Sequence, residues 1–173
     1  MTPISEPEFT KFLEECGISL SPKNVGIGRQ LSSEQHRLRI VNIHFQEDEP
    51  RENQKSVLEA LFSLEPRWFI FPRYCSVAEL LGATDLLSAY AANIDGSLFE
   101  QLIESMVILQ ENRKIIEFDP YFISSSGQIL AFWDHHVFSE GFSVKFASLP
   151  PSSQFISVLN TLGAEFEVFA SNA

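Results

Sequence analysis

The sequence predicts an α+β fold: one domain over residues 1–173, with about five to six helices packed on a mainly antiparallel sheet, a mixed sheet being the alternative. Three observations carry this prediction. Segments with helical spacing of apolar residues share the chain with short strand-like apolar runs. No internal repeat or Pro/Gly-rich linker divides the 173 residues. Apolar residues make up 45% of the chain and include 16 Phe, enough to fill a core without disulfide or metal staples.

The elements follow in order. Ser5-Glu6-Pro7-Glu8 is a capping box with proline in the first turn. The helix it opens places Phe9, Phe12, Leu13 and Cys16 on one face, and Gly17 ends it. Residues 18–35, with Pro22, Gly26, Gly28 and several serines, read as a long connection. Arg37 to Phe45, rich in Ile and Val, is a strand. The acidic run Gln46-Glu47-Asp48-Glu49-Pro50 starts the next helix, where negative charge complements the helix dipole. Val57, Leu58, Leu61 and Phe62 are its apolar stripe, and Pro66 closes it. Trp68 to Phe71 is a continuous apolar run before Pro72, the pattern of a strand covered on both faces. These segments make a β-α-β unit.

Three helical pieces come next. Ser76-Val77-Ala78-Glu79 is a second capping box, stopped by Gly82, and Thr84 caps a short helix that runs through Ala92. Ser97-Leu98-Phe99-Glu100 opens a longer helix with Leu98, Leu102, Ile103, Met106 and Val107 inward. From Lys114 onward strands dominate: Ile115 to Phe118, Tyr121 to Ser124, Gln128 to Trp133 and Phe142 to Phe146. Ser124 to Gly127 is a hairpin connection. Phe142, Val144 and Phe146 alternate with Ser143 and Lys145, which leaves one face of that strand wet. A last helix, capped near Ser152, shows Phe155, Val158, Leu159 and Leu162 on one side and ends at Gly163. Glu165 to Phe169 is a closing strand with its acidic residues outward.

Charge narrows the partners. The net charge is −11 and the pI about 4.7, so phosphate backbones and anionic membranes are repelled. Only His36-Arg37-Leu38-Arg39 forms a basic run, and no nucleic acid is expected. Phe146 to Ala164 carries no charge, but Pro150, Pro151 and several serines exclude a membrane span. Residues 120–173 hold only Asp134, Glu140, Lys145, Glu165 and Glu167 as charges, so this third supplies core or an apolar contact surface. Cys16 and Cys75 form no CxxC and read as reduced thiols in a cytoplasmic protein. The first residues lack the apolar region of a signal peptide.

Chemistry is sparse. No GxSxG, SxxK or HExxH occurs, so no catalytic residue is assigned. Gly26-Ile27-Gly28 lacks the third glycine of a dinucleotide fingerprint, and no cofactor is expected. Trp133-Asp134-His135-His136 is the densest polar cluster. On an extended chain Asp134 and His136 share one face, and carboxylate with imidazole suits zinc, iron or manganese. Glu117, Asp119, His44 and Glu140 are the candidate co-ligands, and a polar turn is the competing reading. Arg67, Trp68, Arg73 and Tyr74 have the composition of an interface anchor, and also of a buried strand with charged ends. The first functional reading is therefore a non-enzymatic protein-interaction module for a basic partner. An immunity-type protein facing a basic toxin is one example. The alternatives are a small metal-dependent or acid–base enzyme centred on Asp134 and His136, and an apolar small-ligand binder.

Overall fold

The structure, a computed structural model, describes residues 2–21, 30–46, 48–71, 89–111, 120–133 and 137–170. In chain order these hold β1 (Thr2–Ile4), α1 (Glu6–Glu15), β2 (Ser19–Leu20), β3 (Leu31–Ser32), a 3-10 turn (Gln35–Arg37), β4 (Arg39–His44) and α2 (Arg51–Phe62). Then come β5 (Trp68–Phe71), β6 (Ala89–Ala92), α3 (Gly96–Glu111), β7 (Tyr121–Ser124) and β8 (Ile129–Phe132). The one-turn α4 (Val137–Glu140), β9 (Phe142–Phe146), α5 (Leu149–Leu162) and β10 (Glu165–Ala170) complete the set.

Eight strands form one sheet in the order β1-β6-β5-β7-β8-β9-β4-β10, while β2 and β3 pair separately. Every neighbouring pair among the described strands is antiparallel, so over these residues the sheet is antiparallel and not mixed. β4 and β5 do run in the same direction, as a β-α-β unit requires. They are not neighbours, however, because β9, β8 and β7 stand between them.

Strand alternation divides the side chains between two cores. On one face Val41, Ile43, Trp68, Ile70, Phe122, Ile129, Ala131, Val144 and Phe146 pack under α2, α3 and α5. Val57, Leu58, Leu61 and Phe62 are the buried stripe of α2, as their spacing predicts. On the other face Phe71, Tyr121, Ile123 and Leu130 meet Phe9 and Leu13 of α1 and Leu31 of β3. The capping box holds: the Ser5 hydroxyl and N–H both donate to the Glu8 carboxylate, at 2.6 and 3.2 Å, and these bonds lower the Glu8 pKa. The hairpin at 124–127 also holds. Gly127 (φ 69°) donates its N–H to the Ser124 carbonyl at 2.8 Å, and the buried Ser124 hydroxyl accepts from the N–H groups of Gln128 and Ile129.

Several expectations are corrected. Ala89–Ala92 is a strand and not the end of a helix: it is buried along its length and paired on both sides, with β1 and with β5. Two ladders outweigh the few tenths of a kcal/mol per residue by which alanine favours a helix. The cap of α3 is Asp95 and not Ser97. Its carboxylate accepts from the N–H groups of Ser97 and Leu98, at 3.0 Å each. α5 begins at Leu149, so Pro150 and Pro151 fall in its first turn, where an N–H is not needed. Ser152 lies inside that helix, with its hydroxyl bonded to the Leu149 carbonyl, and Leu162 points outward at 45% exposure. Residues 18–35 contain the β2–β3 ladder, and β4 starts at Arg39 because the 3-10 turn precedes it. The described residues hold four helices of ten residues or more. The helices expected at 76–82 and from Thr84, and the strand expected at 115–118, lie outside or largely outside the described residues.

Candidate functional site

Because Val41 and Ile43 turn inward, Ile40, Asn42 and His44 of β4 share the opposite face. The ladder registers set Ser143 and Lys145 of β9 beside Asn42 and Ile40, and Glu165, Glu167 and Phe169 of β10 on the same side. α1 and the β2–β3 ladder cover β5, β7 and β8. The β9-β4-β10 end of this face stays half open, as the Ser143/Lys145 alternation implies.

Polar contacts cross these strands. The Ser143 hydroxyl donates to Asn42 Oδ1 at 2.6 Å, and Gln46 Nε2 donates to Glu165 Oε2 at 2.7 Å. His44 Nε2 lies 3.7 Å from Glu167 Oε2, too far for a hydrogen bond but close enough for an ion pair when the ring is protonated. A pocket of about 250 Å³ opens where β4, β8 and β9 meet α4, lined by Asn42, His44, Phe132, Glu140 and Ser143 among others. Gly141 makes it possible. Its φ is +100°, and a Cβ there would sit 1.9 Å from the Ile43 carbonyl oxygen, so only glycine lets α4 turn this tightly into β9 against β4.

The structure therefore brings together two of the candidate co-ligands, His44 and Glu140, on the wall of one pocket. Asp134, His136, Glu117 and Asp119 lie outside the described residues. Among the described residues no three of His, Cys, Asp and Glu converge as a metal site would need.

Trp68 is fully buried, and its indole N–H donates to the Phe62 and Glu65 carbonyls at 3.1 Å each. That position ties β5 to the end of α2 and removes the tryptophan from any contact surface. Arg67 is exposed, and Arg73 and Tyr74 lie outside the described residues.

His36, grouped by sequence with a basic run, is a core residue. It is fully buried, its Nε2–H donates to the Gly127 carbonyl at 2.8 Å, and its Nδ1 pairs with the Ser33 hydroxyl at 2.8 Å. A carbonyl can only accept, which assigns the proton to Nε2. Burial lowers the His36 pKa, with Lys145 adding to the effect and the Gly127 bond opposing it. The basic run thins further, since Arg37 pairs with Glu34 at 3.0 Å.

Among the described residues the exposed large apolar side chains are Leu149, Leu162, Val168 and Phe169, all from α5 and β10. No helix among them is long and apolar enough to cross a membrane. Comparisons of the chain with protein-family models, curated proteins and solved structures give no match.

Proposed function

We propose that this chain is a single-domain, cytoplasmic, non-enzymatic protein-interaction module whose partner is a basic protein. One observation carries the reading. At β10 two glutamates, Glu165 and Glu167, stand beside exposed Val168 and Phe169 at the rim of the sheet. Apolar contact area edged by charge of one sign is the composition of an interface, and the sign selects the partner. The net charge of −11 extends that selection over long range, raising encounter rates with cations and repelling nucleic acid. The charge-poor last third of the sequence, read as core or contact surface, supplies these exposed apolar residues.

The test is affinity capture with the wild type and with an E165K/E167K variant, each at about 0.05 M and about 0.5 M salt. A basic protein retained by the wild type, and lost both in the variant and at high salt, is the expected result. Capture that ignores both changes overturns the proposal.

A second reading is favoured by the shared pocket of His44 and Glu140: a metal-dependent or acid–base site, for which the sequence adds Asp134 and His136 as candidates. Metal analysis of the purified protein and melting with added zinc or manganese decide it. An unshifted melting temperature and no bound metal remove the metal version.

A further inference from the structure

We infer that the free edge of β10 takes its partner as an added strand, an extended segment in which basic and apolar residues alternate. The inference rests on the interaction reading above and specifies how the partner is held. Among the described residues β10 stands last in the sheet order and pairs only with β4. Every second N–H and C=O along its six residues therefore points away from the sheet. Natural sheets blunt such edges, because an open ladder is a template for another chain. The opposite edge obeys that rule: β1 is three residues long with Pro3 at its centre. β10 has six residues, contains neither proline nor lysine, and leaves Val168 and Phe169 exposed.

The side chains of β10 say what the added strand carries. Residues opposite each other on neighbouring strands share a face. On the outer face β10 offers Glu165 and Glu167, two residues apart, and then Phe169; on the inner face Phe166 packs against the core and Val168 follows it. A strand laid alongside meets two carboxylates on one side and apolar carbon on the other. Lysine or arginine at positions i and i+2, with an aliphatic or aromatic residue between them, satisfies both. The Glu165 carboxylate is already oriented by its bond from Gln46. A second copy of this chain fits badly there. Antiparallel pairing of two β10 strands sets glutamate against or diagonal to glutamate, between molecules that each carry −11.

The test uses the full chain and an amide-capped peptide of about eight residues alternating lysine and valine. A peptide of the same composition, with lysines and valines in separate blocks, is the control. Two N-methylated forms of the alternating peptide, methylated at odd or at even positions, complete the set. Strand addition predicts binding about tenfold tighter for the alternating peptide than for the blocked one. It also predicts loss of binding with only one methylation pattern, since alternate N–H groups face β10. The E165K/E167K variant should bind on the order of tenfold more weakly. Equal binding of alternating and blocked peptides, lost in that variant, overturns strand addition and leaves the acidic-surface reading standing. No binding of any peptide at millimolar concentration overturns strand addition as well, and salt-sensitive capture of a whole protein then decides the wider reading alone. A chain that proves dimeric through β10 also overturns the inference.

Discussion

Replacing each tryptophan by phenylalanine separates hydrogen bonding from packing in this core. Trp68 and Trp133 are both fully buried, and both touch the Phe62 ring, at centroid distances of 5.3 and 5.4 Å. Trp68→Phe and Trp133→Phe therefore remove similar volume from the same aromatic cluster, with a similar packing loss. Their indole nitrogens differ. The Trp68 N–H donates to two backbone carbonyls, whereas the buried Trp133 Nε1 has no hydrogen-bond partner among the described residues. Each bond lost at Trp68 costs about 1 kcal/mol net, and relief of a desolvated donor at Trp133 returns about 1–3 kcal/mol. The Trp68→Phe variant should be the less stable by about 2 kcal/mol or more, or roughly 4–8 °C in Tm for a chain of this size. Urea unfolding followed by far-UV circular dichroism measures it, and the tryptophan left in each variant gives a second probe of the same transition. If Trp133→Phe unfolds at the same urea concentration as Trp68→Phe, or lower, the account of both indoles is wrong.

Two further outcomes test the structure elsewhere. Gly141→Ala should cost several kcal/mol, because its Cβ would collide with the Ile43 carbonyl at 1.9 Å, and Gly163→Ala only about 1 kcal/mol, because nothing lies within 4 Å of its Cβ and only the φ of +69° is strained; comparable melting temperatures for the two would contradict the packing described at α4. Burial holds the His36 pKa below the ordinary 6.5, so the unfolded chain takes up that proton first as the pH falls. Stability contributed by His36 is thus complete above about 6.5 and is lost as the pH falls toward the lowered folded value. Urea midpoints at about pH 7.5 and about pH 5 should drop more for the wild type than for His36→Gln, and identical drops would refute a neutral, buried ring.

What could be read from the chain alone was whatever local chemistry decides. The Ser5–Glu8 capping box is complete within four residues, and the stripe of α2 needs only helical spacing. The half-wet alternation of β9 likewise depends on nothing distant. The strand state of Ala89–Ala92 comes from β1 and β5, whose pairing no local pattern records. The candidate site was legible in part: His44 and Glu140 were picked for residue type, but their meeting depends on Gly141 against Ile43, a contact across about a hundred residues of chain. His36 carried no signal that would distinguish a buried imidazole from an exposed one.

By itself, then, the sequence determined the α+β class, the net charge, most helix faces and the hairpin, since each follows from composition or from neighbours a few residues away. Only the tertiary structure decided the strand order, the burial of Trp68 and His36, and the placing of β10 with its glutamates last among the described strands of the sheet. Those depend on which distant segments share a ladder or a core, and that choice is made by the whole chain burying its apolar surface at once.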